Sequence, residues 1–314
     1  MTDTAFHWKK DIANEYTDSA PCTLFISHPI NDGFAIDTGA SFKLNTQSSL
    51  KLTCDVGGKE IYWNGDVTLV KGTLELDGGP SNPKGTALII PAAIGVTDNR
   101  PLFYSSARFN FEGWVLLLGT TTSPTVTDFI FTTNSATIIK IATYQCDNAR
   151  VVMNDNAFML ITTNDFGVGI NAQYSVTDRA TLHTVFNRFS TTATGKGYTL
   201  GGDAPPGQKE ISPFINFACT NAETSICWLE ELPTGFFNIS TQSQGNHINN
   251  NGMIMISFTG TDEAFVQTTV NNMVTKGIFT VNDAPQGLSF FDIRVHPSFF
   301  TLALRSPDAL TIDV

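Results

Sequence analysis

The sequence is poor in charged residues, and basic residues are the scarcer kind. Asp, Glu, Lys and Arg make up 15% of the 314 residues, against about a quarter in typical globular proteins. The net charge is −11 at pH 7. The basic surface that nucleic-acid binding needs is therefore missing, and we expect no nucleic acid as a partner. Low charge together with 24 Phe also excludes a disordered chain, because disorder requires high charge and few aromatic residues.

Long apolar runs and the familiar metal, cofactor and catalytic motifs are also missing. The first residues lack the apolar segment of a secretory signal, and the longest apolar stretch, Trp114–Leu118, is strand-sized. We therefore expect a protein made in the cytoplasm that does not insert into a membrane. The five cysteines have no C-x-x-C spacing and the five histidines are scattered, so neither a disulfide scaffold nor a metal site is expected. No phosphate-binding loop, dinucleotide-binding loop or hydrolase motif occurs, and we expect no cofactor.

What the sequence does contain is a long series of short alternating runs. Phe42-Lys43-Leu44 and Leu74-Glu75-Leu76 are examples, and alternation with a period of two is typical of β-strands. Gly and Asn separate the runs, as at Gly57-Gly58 and Asn148, and both residues suit tight corners. The short spacing favours a parallel β-helix, in which each run forms one side of a coil. A β-sandwich or barrel is the alternative.

The pattern divides the chain into four parts. Residues 1–22 are interpreted as an N-terminal arm or attachment segment, and Phe6–Tyr16 within them has the apolar spacing of a short helix. Residues 23–190 form the β-helix-like region. Residues 191–208 are rich in small, turn-forming residues and indicate a linker or long loop. Residues 209–314 contain longer strands and predict a compact, sandwich-like domain.

One helix is expected inside this C-terminal part. Asp262–Lys276 has apolar residues at helical spacing, Asp262 and Glu263 suit the start of a helix, and Gly277 suits its end. The expected fold class is therefore all-β. An N-terminal parallel β-helix or solenoid-like region of short strands precedes a compact, β-rich, sandwich-like C-terminal domain with one helix.

Six carboxylates are the catalytic candidates. Acids on neighbouring coils of a β-helix can meet, because successive coils stack about 4.8 Å apart, and paired acids suit polysaccharide cleavage. We favour the alternative that these acids are solvent-facing residues of alternating strands. Lys and Arg, which a lyase needs to stabilise its anionic intermediate, are sparse, so we expect no enzyme. The candidates are Asp37, Asp55, Glu60, Asp66, Glu75 and Asp77.

A polar segment near the C-terminus is the candidate for ligand binding. Its amides match the hydroxyls of sugars, although a polar hairpin connection explains the same composition. For the tryptophans at 63, 114 and 228, packing in the core or at a subunit interface is favoured over stacking on sugar rings. The residues of the polar segment are Asn246, His247, Asn249, Asn250 and Asn251.

The alternating runs over about residues 40–165 and the junction at 191–207 resemble those of bacteriophage fibre, tailspike and other virion-appendage proteins. The low charge and the 41 Thr and 24 Asn add to this resemblance. It implies a viral structural protein of the virion: a fibre, adhesin or decoration subunit that works as a homotrimer and binds a host surface glycan. It also implies attachment to other virion proteins through the N-terminus, with Phe6–Tyr16 as the attachment arm. Apolar outer faces such as Val115–Leu118 would meet across the trimer.

Two other functions stay open at this point. One is a polysaccharide-degrading β-helix enzyme, a tailspike-type hydrolase or lyase that uses two or three of the six carboxylates. The other is a capsid-type β-sandwich subunit that assembles into a shell.

Overall fold

The computed structural model describes most of the chain as β-strands. The described residues are 6–26, 33–54, 60–78, 85–91, 100–103, 107–119, 126–201, 210–221, 226–243, 246–247, 249–260 and 262–305. No helix in these ranges has both the length and the apolar character needed to cross a bilayer.

The chain contains the following strands and one α-helix, numbered in chain order. They are β1 (Ala13–Tyr16), β2 (Cys22–Ile26), β3 (Ser41–Cys54), β4 (Glu60–Tyr62), β5 (Asp66–Asp77), β6 (Ala87–Ile90), β7 (Arg100–Phe103), β8 (Arg108–Glu112), β9 (Val115–Leu118), β10 (Thr127–Phe131), β11 (Ala136–Cys146), β12 (Ala149–Met153), β13 (Phe158–Val168), β14 (Gln173–Val176), β15 (Thr181–Thr191), β16 (Tyr198–Leu200), β17 (Glu210–Ile211), β18 (Phe214–Cys219), β19 (Phe237–Ile239), β20 (Gln242–Ser243), β21 (Asn246–His247), β22 (Asn249–Asn250), β23 (Met253–Ser257), α1 (Glu263–Thr275), β24 (Phe279–Val281), β25 (Ala284–Pro285), β26 (Phe291–His296) and β27 (Phe299–Leu304). Short 3-10 helices cover Ile226–Glu231 and Leu288–Phe290.

The strands stack as a parallel β-helix with three faces, and this confirms the all-β, β-helix-like prediction. Each coil pairs in parallel with the coil before and after it, and in the middle of the molecule one coil takes about 22 residues, as from Ala136 to Phe158. The described ladders that build these faces are parallel, so the sandwich or barrel alternative, including the capsid-type subunit, does not fit them.

The three faces are named here by their residues. Face A comprises 13–16, 41–44, 66–69, 100–103, 127–131, 149–153, 173–176, 198–200, 237–239 and 279–281. Face B comprises 22–26, 49–54, 73–77, 108–112, 136–141, 158–163, 181–186, 214–219 and 253–257. Face C comprises 60–62, 87–90, 115–118, 143–146, 165–168 and 188–191.

Alternating burial explains why these sequences form strands of a solenoid. In β3, Phe42 and Leu44 are completely buried while Lys43 between them points outward. The interior residues of all three faces form one continuous apolar core. A strand with one wet side needs only every second residue to be apolar, and the sequence supplies this pattern.

Polar residues at the corners stack from coil to coil, as expected for Asn at the ends of runs. Asn148 and Asn171 have positive φ angles of 39° and 60°, and the Asn171 amide donates to Asn148 Oδ1 at 3.0 Å. Another corner repeats the pattern: Asn187 Nδ2 donates to Asn164 Oδ1 at 3.1 Å. Asn tolerates the left-handed backbone and offers both a donor and an acceptor, so identical amides can bridge successive coils.

The helix expected at the N-terminus is not observed. Residues 13–16 of the Phe6–Tyr16 segment form β1, which pairs with the first half of β3. Upstream of β1, the Trp8 ring packs at a tilt against Phe42 with ring centroids 4.6 Å apart, and Trp8 Nε1 donates to Ala35 O at 2.8 Å. The described part of the expected attachment arm thus covers the first coil, and its apolar residues serve that contact.

The stretch 191–208, expected to be a linker, contains a strand of the same solenoid. Tyr198 and Leu200 of β16 are completely buried, and β16 pairs in parallel with β14 and β19. The strands β18, β19, β23 and β24 then continue faces A and B. The part of the chain expected as a separate sandwich-like domain therefore extends the solenoid.

The C-terminal end of the solenoid is closed by α1 and by antiparallel strands. Helix α1 confirms the expected helix: Asp262 caps its start by accepting a hydrogen bond from the Phe265 N–H, and Gly277 follows its end with a φ of 71°. Face B ends where β27 pairs antiparallel with β23, and β26 then pairs antiparallel with β27.

Candidate ligand-binding groove

Two adjoining cavities open on the outer surface of the solenoid. The first, of about 270 Å³, lies on face B, and the second, of about 500 Å³, lies at the corner between faces B and C. Glu112 and Lys140 line both cavities, so we treat them as one groove. The groove is lined by Lys51, Glu75, Leu76, Asp77, Asn110, Phe111, Glu112, Gly113, Trp114, Ile138, Lys140, Ile141, Ala142, Thr162, Thr163, Asn164, Val185, Asn187 and Thr220.

The face B part of the groove carries a cluster of charged side chains of both signs. The β-ladders place Glu112 between Asp77 on one neighbouring coil and Lys140 on the other. Lys51 lies directly opposite Glu75, and its ammonium contacts Asp77 Oδ2 at 3.0 Å. Coils stack about 4.8 Å apart, so these five side chains form a compact patch of three acids and two bases.

Lys51 remains a cation in this patch. The hydrogen bond from Lys51 to Asp77, and then the attraction of that carboxylate, raise the pKa of Lys51 above its ordinary value. Lys51 can therefore attract an anionic group or stabilise negative charge. It does not supply the neutral amine that a general base would need.

The corner part of the groove combines an exposed aromatic ring with amides. Trp114 is 38% exposed, and its carbonyl accepts hydrogen bonds from the Ala142 and Thr143 N–H groups at 2.9 and 3.0 Å, which fix it at the corner. Further along the same corner stand the stacked amides of Asn164 and Asn187. An aromatic face with amide donors and acceptors two and three coils further along the same cavity is suited to a chain of sugars, because each sugar ring has an apolar face and a rim of hydroxyls.

Glycine at position 113 allows Trp114 to occupy this corner. A Cβ atom at Gly113 would lie 2.6 Å from the Phe111 ring and 2.9 Å from Thr86 O. The backbone at Gly113 passes close to the buried Phe111 ring, and only glycine is small enough for that approach.

The structure brings two of the six candidate carboxylates together. Glu75 and Asp77 both line the groove. The others that can be placed lie elsewhere: Asp37 is 3.9 Å from the Lys10 ammonium near the first coil, Glu60 accepts from the Tyr62 hydroxyl on face C, and Asp66 is exposed at the start of β5. Asp55 lies outside the described residues. Two of the six candidates therefore share one cavity, and the three others that can be placed lie apart from it.

The polar segment at 246–251 is not supported as a binding loop where its side chains are described. Asn250 is only 5% exposed, and its amide donates to Leu200 O and Ser240 O, both at 3.0 Å. Its Oδ1 accepts from the Gly252 N–H at 2.7 Å. The Asn250 side chain therefore holds backbone groups of three segments together and is not available to a ligand. Asn251 is exposed. The backbones of Asn246, His247 and Asn249 lie in β21 and β22, and their side chains lie outside the described part.

Sequence reasoning missed Glu112 and Lys140, and it favoured packing over ligand contact for Trp114. The alternation within β8 and β11 shows that Glu112 and Lys140 point outward. It does not show that both lie beside Asp77, because that depends on the number of residues in each coil. The spacing from Asp77 to Glu112 is about 35 residues, and from Glu112 to Lys140 about 28.

Within the described ranges no three His, Cys, Asp or Glu side chains are placed so that they could hold a metal ion. Comparison with protein-family models, with curated proteins and with solved structures found no match to this chain. The residues of the groove are thus the basis for a functional proposal.

Proposed function

We propose that this chain is a virion structural protein, a fibre or adhesin subunit that binds a host-surface polysaccharide in the groove. The observation that carries the proposal is that the exposed Trp114 ring and the stacked amides of Asn164 and Asn187 line the same cavity along one corner of the solenoid. The groove is open and runs across several coils, so it can follow a linear chain of sugars. Three acids and two bases lie on one side of Trp114, and they can select between neutral and charged sugars.

A polysaccharide with repeating units can be bound at several places at once, so several copies of a weak site together give strong binding. Each additional site that engages the same surface acts at a high effective concentration and increases the overall affinity. A homotrimer of this chain would carry three grooves, so each groove needs only modest affinity. This fits a shallow groove with one exposed aromatic ring.

Trp114→Ala is expected to weaken binding to the recognised polysaccharide about tenfold or more, because an aromatic anchor dominates such contacts. The measurement is binding to a panel of immobilised bacterial lipopolysaccharides and capsular polysaccharides. Tyr62→Ala is the matched control, since Tyr62 is 41% exposed on face C, away from the groove. Absence of binding to the whole panel would contradict the proposal, and so would equal binding by the Trp114→Ala variant.

A second function, polysaccharide cleavage, is favoured by one specific observation. Glu75, Asp77 and Glu112 line the same cavity as two lysines. A pair of carboxylates can act as acid and base or nucleophile on a glycosidic bond, and Lys51 can stabilise developing negative charge. The Lys51–Asp77 ion pair engages one of these acids and leaves Glu75 and Glu112 as the candidate pair.

We expect binding without cleavage, so incubation with the bound polysaccharide should release no new reducing ends or unsaturated sugars. If products appear, the second function holds, and Glu75→Gln or Glu112→Gln should lower the rate about 100-fold or more. Glu60→Gln serves as the control, because Glu60 is an exposed acid on face C. Product formation that all three variants retain would place the reaction elsewhere on the chain.

A further inference from the structure

The groove changes its electrostatic character at Lys140. On the N-terminal side of Lys140 lie Lys51 and the three acids Glu75, Asp77 and Glu112. Among the described residues that line the groove on the C-terminal side, none is ionisable. They are Thr162, Thr163, Asn164, Val185, Asn187 and Thr220. Lys140 therefore stands at the boundary between an acidic half and an uncharged half of the groove.

Lys140 is the cation of the groove that is available to a ligand. The Lys51 ammonium is engaged by Asp77 Oδ2 at 3.0 Å. The Lys140 side chain is exposed and forms no ion pair with a described carboxylate, although Glu112 is its partner in the β-ladder on the preceding coil. An exposed ammonium without a partner in a groove is suited to an anionic group of a ligand.

The corner beside Lys140 presents further hydrogen-bond donors. The Thr220 hydroxyl donates to Asn187 Oδ1, and Asn187 Nδ2 donates to Asn164 Oδ1 at 3.1 Å, so both amide oxygens already accept a hydrogen bond. Within the described ranges, neither Asn164 Nδ2 nor Trp114 Nε1 has an acceptor. Together with Lys140 these groups form a row of donors, and such a row suits a ligand rich in acceptor oxygens.

We propose that the groove selects an acidic polysaccharide in which uncharged sugars separate the sugars that bear a carboxylate. This ligand class rests on the proposed function and makes it more specific. The carboxylate binds to the Lys140 ammonium on its uncharged side, where Asn164 supplies a second donor. Asn164 lies one coil away and two residues beyond Thr162, the ladder partner of Lys140. The two positions are thus roughly 8 Å apart, a span that two exposed side chains can close around one carboxylate.

The acids on the other side of Lys140 explain why the charged sugars must be separated. A sugar unit in an extended chain is about as long as the coil spacing of about 4.8 Å, so the sugar next to the carboxylate lies over the coil of Trp114. Glu112 is on that coil, and Glu75 and Asp77 are on the coil before it. A carboxylate on this sugar would be repelled at short range. The net charge of −11 also disfavours a polymer with a charge on every sugar.

The first test compares polymers of different charge spacing. The panel of bacterial polysaccharides used for Trp114→Ala is extended by hyaluronan, unsulfated chondroitin and gellan, in which uncharged sugars separate the glucuronates. Alginate and polygalacturonate carry a carboxylate on every sugar, and dextran and mannan carry none. We expect the full chain to bind polymers with separated carboxylates, about tenfold or more tightly than the carboxyl-reduced forms of the same polymers.

Lys140→Gln is expected to weaken binding to the native acidic polymer about tenfold or more, because it removes the charge-assisted contact. Binding to the carboxyl-reduced polymer should not change. Lys71→Gln is the matched control, since it removes the same charge from β5 outside both cavities, and it should keep the affinity for both polymers. Trp114→Ala should weaken binding to both polymers alike. Circular dichroism verifies that the variants fold.

Glu112→Gln tests the requirement for separated charges. It removes the acid closest to the sugar on Trp114, so the affinity for alginate or polygalacturonate should rise severalfold. The Lys71→Gln variant makes the same change in net charge with the opposite sign. It therefore shows how much of any change comes from the overall charge of the chain.

The outcomes distinguish this ligand class from the proposed function. Equal binding of the native and carboxyl-reduced polymers overturns the ligand class, and so does an equal effect of Lys140→Gln and Lys71→Gln or binding of neutral polymers only. In each of these cases binding that depends on Trp114 leaves the proposed function in place. A preference for alginate or polygalacturonate refutes the separation of charges. Absence of binding to every polymer refutes the proposed function together with its ligand class.

Discussion

Phe166→Ala should lower the free energy of unfolding by about 3–5 kcal/mol, the range for removal of a buried aromatic ring. Phe166 is only 1% exposed and lies at the centre of an aromatic stack inside the solenoid. Its ring stacks on Tyr144 with centroids 5.1 Å apart, and it lies 5.9 Å from both Phe186 and Phe217. These rings come from four successive coils. The cavity left by alanine would therefore remove contacts that join the coils.

The control for this prediction is on the same strand. Phe158 is also in β13, but it points outward and is partly exposed, so Phe158→Ala should change the stability of the monomer by less than about 1 kcal/mol. The measurement is the urea midpoint of both variants at one low concentration, with an unchanged slope. A similar loss in the two variants would show that the interior stack does not hold the coils together.

The strands and corners that make up each coil were predictable, because each of them depends only on residues that are neighbours in the sequence. Alternation identifies the strands, and positive φ at Asn148 follows from the tolerance of Asn for the left-handed region. Helix α1 was also predictable, since its cap at Asp262 and its end at Gly277 lie within one segment. These features suffice for the class of fold and for the single helix.

The number of coils was not predictable, because coil length changes along the chain. One coil takes about 23 residues from Phe158 to Thr181 but about 33 from Thr181 to Phe214 and about 39 from Phe214 to Met253. The longest of these coils contains the 3-10 helix Ile226–Glu231 and the short strands β20, β21 and β22, and such inserts conceal the repeat. The C-terminal part therefore resembled a separate domain, although its strands occupy the same faces.

The apolar run at residues 115–118 was interpreted as an exposed face, but the structure divides it between the core and the surface. A run of four apolar residues suggested an exposed face that meets a neighbour. In the structure Leu116 and Leu118 are buried in the core, and only Val115 and Leu117 point outward. Half of the run is therefore explained by the interior, and the outer half is too small to form an interface by itself. Contact of this run with a neighbouring copy stays a prediction.

The groove could not be assembled from the sequence for the same reason. Asp77, Glu112 and Lys140 belong to one column of face B, but their separations differ, so no fixed period connects them. Whether a side chain points outward depends only on its position in the local alternation. Which side chains lie next to each other on the outer surface depends on the length of every loop between the coils. In a β-helix the core is therefore easier to predict than the surface that carries the function.

Gly119→Ala is expected to lower the free energy of unfolding by about 2–5 kcal/mol, because it combines backbone strain with a steric clash. Gly119 has a φ of 69° at the corner that follows face C, and its N–H donates to Ile90 O at 2.8 Å. A Cβ atom there would lie 1.7 Å from Asp147 O and 2.9 Å from the Ala149 Cβ. The obstacle is the backbone of the next coil, so no side-chain rotation can relieve it.

Gly195→Ala is the matched control for this corner. Gly195 has no atom within 4 Å of an added Cβ, so alanine there should alter stability by less than about 1 kcal/mol. The two variants are compared by urea unfolding at the same protein concentration. Because neighbouring coils share this corner, Gly119→Ala should also shift the coil that carries Trp114 and reduce polysaccharide binding. A Gly119→Ala variant as stable as Gly195→Ala would show that the corner can open without disturbing the coils on either side.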